Sequence, residues 1–418
     1  MKRALVPLLV LVPAAGIGIW LATRAPVADA PVVPVTGATS GTADATTPTQ
    51  PAPTVVEHDP LKPTPEVSAM RKSVEALGKA GTYSPEIEKE LVTALGHVDQ
   101  DVRGHAAWGL GRLAPESAKS IPALIHALGD PAWHVQHNAA LSLHRFPRDV
   151  LEPQLLAALG DSNQARRVRV ASTLIELSAD HSRKVEEVLL SSYDGAETHV
   201  RVTALSAMGK LTSPSESVIA HLVGAAGSND ERVIGAAISS LGGLGPAAQS
   251  ASPTLVSLAS HEKQQVRQAV GGALGKFGMT SGPPLDALIK MLDDPKDGPA
   301  DTAAQSLSML NALDALEKAY LDGGPKTRKN VVTALRSATT LDERRVALIT
   351  KAFDDTDWTV RLAAAAGFMG KDIEAAIPTL TRALRDDNAA VRGQAESTLR
   401  SMKLPAAKAA LESKRGTP

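Results

Sequence analysis

Asp357-Trp358-Thr359-Val360-Arg361-Leu362-Ala363-Ala364-Ala365-Ala366-Gly367-Phe368 is the stretch that decides the fold of this chain. Val360, Ala364 and Phe368 stand four residues apart, so a helix carries all three on one face. Asp357 suits the turn and the cap that begin such a helix. Upstream, Ile349 and Phe353 form a second pair with the same spacing, on a preceding helix. This two-helix pattern returns along the chain. Its leading aliphatics are Leu91, Leu124, Leu155, Leu189, Leu222, Leu255, Leu288, Leu316, Ile349 and Leu380, mostly 31 to 34 residues apart. The slot held by Ala364 recurs as Ala106, Ala139, Val170, Ala204, Ala237, Val270, Ala303, Val331 and Ala395. The slot of Phe368 recurs as Leu110, Leu143, Leu174, Met208, Leu241, Leu274, Leu307, Leu335 and Leu399. A unit this small cannot bury its apolar face alone, so the units must stack. The expectation is an all-α fold, an α–α superhelix or solenoid of about ten helical hairpins sharing one core.

Composition agrees and removes several chemistries. Aromatic residues make up only 3% of the chain, which suits a core of Leu, Ala and Val between close helices. Lys plus Arg (44) nearly equals Asp plus Glu (45), so no global field draws in nucleic acid or an anionic membrane. With no cysteine there is no disulfide, thiolate metal site or cysteine nucleophile.

The amino terminus is of another kind. Lys2 and Arg3 precede an uncharged run from Ala4 to Thr23, and Arg24 closes it. Such a run in helical form spans about 30 Å, a bilayer's hydrocarbon core. It reads as a transmembrane anchor over residues 1–24, or as a secretory signal cut near Ala28-Asp29-Ala30. Either reading places the bulk of the chain in the periplasm or extracytoplasmic space. Residues 25–65, rich in Pro, Thr and Ala, read as a linker averaging roughly 35 Å end to end. Residues 66–418 read as the solenoid, with Glu66–Lys79 and Ala406–Lys414 as end helices that shield its two faces.

Within the repeat, Pro122, Pro153, Pro253 and Pro378 fall two residues before their leading aliphatics, near a first helical turn. A turn follows each first helix, with Asp130, Asp161, Asp294, Asp322, Asp355 and Asp386 at one offset. Each second helix opens on a Val-Arg pair in most units, as in Val102-Arg103, Val200-Arg201, Val266-Arg267 and Val391-Arg392. This D-x-x-V-R-x-x-A-A-x-x-L-G grammar resembles the bacterial HEAT-like repeats, in the short form also found in phycobilin lyases. The resemblance covers roughly residues 66–414. It implies antiparallel helix pairs in a right-handed superhelix whose second helices line the concave side. The seventh unit departs from the grammar: Pro299-Ala300 replaces Val-Arg, and the next unit comes only 28 residues later. A distortion is expected near residues 293–327.

Two sets of residues invite a functional reading. Arg103, Arg167, Arg201, Arg267, Arg328, Arg361 and Arg392 form a ladder, either gripping an anionic partner or bonding turn groups of their own and the next unit. Co-occurrence with Asp130, Asp161, Asp294, Asp355 and Asp386, and the family resemblance, favour the structural role. Histidine crowds one region: His97, His105, His126, His134, His137 and His144. His105, Trp108, Trp133, His134, His137 and Asn138 are the candidate binding residues, as a peptide-binding patch, a metal site or a pH switch. No H-E-x-x-H, P-loop or G-x-S-x-G occurs, so no enzyme, cofactor or metal is expected. The groove side of the second helices reads as mostly small: Gly104, Ser142, Thr173, Ser206, Ser239, Gly272, Ser306 and Ser397. The expected function is a non-catalytic, membrane-tethered scaffold that binds a protein or peptide on its concave face, with no nucleic acid and no small-molecule substrate. A lyase-like enzyme or chaperone, a histidine-based sensor and a wall-binding module are the alternatives.

Overall fold

The computed structural model describes residues 65–178 and 180–415. Among them there is no strand, and the chain is an α–α superhelix of ten stacked hairpins. Helix α1, Pro65–Ala80, covers the first hairpin, formed by α2 (Pro85–Ala94) and α3 (Gln100–Arg112). The second hairpin is α4 (Ile121–Ala127) and α5 (Trp133–Leu143), and eight more follow in chain order. Helix Pro405–Arg415 closes the far end.

The spacing of four explains why one core runs through all ten. Every leading aliphatic from Leu91 to Leu380 is at most 1% exposed. The small slot, Ala106 to Ala395, is 0% exposed throughout, and the large slot never exceeds 1%. The remaining slot on the first helices is looser, with Leu95, Tyr193 and Ala259 only partly buried. Starts of helices follow from local chemistry. Ser84, Asp99, Asn163, Ser215, Asp230, Asp342, Asp357 and Asn388 each accept a backbone N–H of the first turn. Pro122 lies in the first turn as expected, whereas Pro153 sits inside a helix that begins earlier, at Arg148.

Second helices pack against one another along their length, and first helices touch less. The stack therefore curves with the second helices on its inner side. Small residues permit that approach, and here the expected groove lining needs correction. Ser142, Thr173 and Ser306 are buried and do not line a groove, whereas Gly104 is buried under the His134 ring at the floor of an inner cleft. The Ser142 hydroxyl donates to the Ala107 carbonyl at 2.7 Å, and the Ser306 hydroxyl to that of Gly271 at 2.9 Å. Ser206, Ser239 and Ser397 are exposed.

Gly209 shows how tight the contact is: a Cβ there would stand 2.6 Å from the Ser240 Cα. Its φ of −68° is open to any residue, so only the close approach demands glycine. Gly209→Val is expected to cost about 1–3 kcal/mol. Equilibrium urea unfolding measures it, and a midpoint equal to wild type would contradict the close approach.

The seventh unit is less disturbed than its sequence suggests. Helix Asp297–Met309 keeps Pro299 in its first turn, where a missing N–H leaves no bond unmade. The short spacing arises from the tight link Leu310–Ala312, where Asn311 adopts φ 53°. The stack continues through it, with this helix packed on both neighbouring second helices.

The expectation of a single-pass membrane protein is corrected: among the described residues no helix is long and apolar enough to cross a membrane. Residues 1–24, on which that expectation rested, and residues 25–64 of the linker lie outside the described residues, while Pro65 already opens α1.

Candidate functional site

The recurrent arginines lie at the turns. Arg103 donates through Nη1 to the carbonyls of His97 and Val98, at 2.8 and 2.9 Å, in its own turn. Its Nε and Nη2 reach forward to both oxygens of Asp130 in the next hairpin, at 2.6 and 2.9 Å. The same two-pronged bond joins Arg267 to Asp294 (2.6 and 2.8 Å) and Arg328 to Asp355 (2.7 and 2.8 Å). It joins Arg361 to Asp386 at 2.7 and 2.9 Å. Each Asp also accepts the N–H two residues on, as Asp130 does from Ala132 at 2.9 Å, so one carboxylate shapes the turn and pins the neighbour. The Arg267 guanidinium holds the Asp294 carboxyl below its ordinary pKa, against the opposing effect of burial.

Three arginines of the series differ. Arg167 meets only Ser192 Oγ at 3.3 Å outside its own turn, while Asp161 is held by Arg166 at 2.7 Å. Arg201 lies over the Tyr193 ring, 5.8 Å from its centroid, with a buried Nε that has no hydrogen-bond partner among the described residues. Arg392, in the last hairpin, has the turn carbonyls of Asp386 and Asp387. One member was missed: Arg71 of α1 makes the two-pronged bond to Asp99 at 3.0 and 2.7 Å. Its separation of 28 residues, beside 27 for Arg103 and Asp130, was the available signal. The guanidinium faces of Arg103, Arg267, Arg328 and Arg361 are thus engaged within the chain.

The inner face of the first two hairpins is different. A cleft of about 290 Å³ is lined by Glu75, Lys79, Asp101, Gly104, His105, Trp108, His134 and Asn138. It forms because Gly104 has no side chain: a Cβ there would come 2.7 Å from Cδ2 of His134. Asn138 Nδ2 donates to the Gly104 carbonyl at 2.9 Å, tying α5 to α3. His134 Nε2 lies 3.0 Å from the Gln100 carbonyl, and His105 Nδ1 lies 2.7 Å from that of Asp101. A carbonyl only accepts, so both nitrogens carry hydrogen, and a neutral His105 keeps Nε2 as an acceptor. Arg112 lies over the Trp108 ring, 5.3 Å from its centroid.

Four of the six expected binding residues, His105, Trp108, His134 and Asn138, therefore share one cleft. Trp133 and His137 do not line it. Their rings stack on each other at 5.0 Å, with Trp133 65% exposed. The other histidines disperse. His97 is buried and accepts the Asp99 N–H at 3.0 Å, and His144 bonds Glu176 at 2.9 Å. Among the described residues no group of three His, Cys, Asp or Glu could hold a metal ion. The sequence reading also missed Glu176, which takes His144 from the preceding hairpin and Lys210 from the following one. Those partners, His144 first, pull its carboxyl down to about 2.

A family model for HEAT repeats matches residues 64–144, 87–174, 151–242, 219–308 and 346–415. The stretch it passes over contains the tight link at Asn311. The crystal structure of an engineered protein, a structural genomics target, is 19% identical, with 80% of this chain and 95% of that chain covered and a TM-score of 0.35. No curated protein matches.

Proposed function

The chain belongs to the HEAT-repeat family, and from that premise we propose that it is a non-catalytic scaffold binding a protein or peptide on the inner face of its stack. In this reading residues 66–418 are the binding body and residues 25–65 a spacer. The observation that carries it is the cleft over the first two hairpins, where Trp108, His105, His134 and Asn138 meet. At the turns, by contrast, Arg103, Arg267, Arg328 and Arg361 are spent on joining hairpins. Here an aromatic ring, imidazoles and an amide face solvent together, which is the mixture that protein interfaces favour. The recurrent arginines and turn aspartates enter as structural rungs. No specific observation favours a lyase-like enzyme or a histidine-based sensor.

Photo-crosslinking tests this. Benzoylphenylalanine at position 138, in the cleft, is expected to capture protein from cell extract. The same group at position 154, on a first helix, is expected to capture markedly less. Equal yields from the two positions would reject the inner face as the binding surface.

A further inference from the structure

On a second helix, the residues one before and two or six after the small slot point to the same side, at 100° per residue. On the first three hairpins these positions hold His105, Trp108 and Arg112, then Asn138, Leu141 and Arg145, then Arg169, Ser172 and Glu176. Leu141 is 52% exposed, a large aliphatic standing in solvent on this face. Arg169 is half-buried and hydrogen-bonds no carboxylate. Burial pulls its guanidinium below the ordinary value, with Glu176 opposing.

Charge on this face is unbalanced in a particular way. Its acids are already taken. Asp101 is held by Arg71 at 2.6 Å, Glu75 by Lys79 at 2.5 Å, and Glu176 by His144 and Lys210. Among the described residues Arg112 and Arg145 make no ion pair, and Arg169 hydrogen-bonds no carboxylate, with only the more distant charge of Glu176 acting on it. The remaining surface is therefore apolar at Trp108 and Leu141 and cationic around them.

Resting on the scaffold reading above, we infer that this face docks an acidic protein segment carrying one large apolar side chain. The apolar side chain covers Leu141 beside Trp108, and a carboxylate of the same segment meets Arg169. Dimensions agree. Adjacent inner helices are separated by roughly 10 Å, so Trp108 to Arg169 spans about 20 Å. Extended chain rises about 3.3 Å per residue, so six or seven residues cross the three helices, with apolar and acidic groups four apart on one side of the extended chain. A carboxylate gives Arg169 the partner that burial otherwise denies it.

The test uses a fluorescein-labelled peptide, Ser-Leu-Gly-Ser-Glu-Glu-Gly, titrated with the full chain and followed by anisotropy. Controls carry Lys for each Glu, or Ala for Leu. Binding of the acidic peptide is expected to fall about tenfold with Arg169→Gln and with Leu141→Ser, each checked for an unchanged thermal midpoint. The Lys peptide is expected not to bind. Equal binding of the Lys peptide, or an affinity unmoved by both substitutions, overturns the proposal. So does sedimentation showing a dimer that Arg169→Gln abolishes, which would assign the face to a second copy. Failure of the acidic peptide while position 138 still crosslinks a protein rejects the acidic chemistry alone. Failure of both rejects the scaffold reading.

Discussion

Leu274→Ala is expected to cost about 2–5 kcal/mol and to lower the urea midpoint of the whole stack. Leu274 is 0% exposed and belongs to helix Gln264–Lys276, which packs on the second helices before and after it. Removing its side chain leaves a void in the shared seam, and the close small-residue contacts on either side limit collapse into it. In a one-dimensional stack a weakened middle unit damages two interfaces, whereas a terminal one damages fewer. Leu399→Ala, in the last hairpin, is therefore expected to shift the midpoint less. A cost at Leu274 below that of the terminal site would mean that the hairpins do not couple through a common core.

Asp294→Ala is expected to be of similar size, about 3–5 kcal/mol, although it touches no apolar contact. The Arg267 and Asp294 side chains are 11% and 5% exposed. Deleting the carboxylate strands a buried guanidinium and also frees the Lys296 N–H, which Asp294 accepts at 2.9 Å. The cost comes from what is left unpaired. Arg267→Met together with Asp294→Ala is therefore expected to recover much of the loss, which a double-mutant cycle measures. The exposed pair of Lys318 and Asp322, at 2.5 Å, gives the contrast: Asp322→Ala is expected to cost under about 1 kcal/mol. If Asp294→Ala is as mild as Asp322→Ala, the rung contributes nothing to joining the hairpins.

These cases show what the amino-acid pattern carries. The small slot from Ala106 to Ala395 and the large slot from Leu110 to Leu399 are legible because burial repeats at fixed spacing, and all are buried. The groove was harder. Ser142 and Leu141 are adjacent in sequence, yet 100° separates one wedged against Ala107 from one in solvent. Which side meets the neighbouring helix depends on how the units stack, and that is absent from any single repeat. Histidine crowding between His97 and His144 overstated proximity, because neighbours in sequence sit on different helices and faces. The cleft itself depends on Gly104, whose significance appears only when the His134 ring is seen lying over it.

The rungs are unevenly distributed. Two-pronged Arg–Asp bonds rivet α1 to the first hairpin, the first to the second, the sixth to the seventh, and the eighth to the tenth. Among the described residues the joints from the second hairpin to the sixth, and the one from the seventh to the eighth, lack them; bonds such as Arg167 to Ser192, Thr198 to Asp230 and Asn330 to the Leu292 carbonyl take their place. The longest run of joints without a two-pronged Arg–Asp bond therefore lies in the middle of the stack. Rotation at those joints breaks no two-pronged Arg–Asp bond and loads instead the exposed pairs that Glu176 makes with His144 and Lys210.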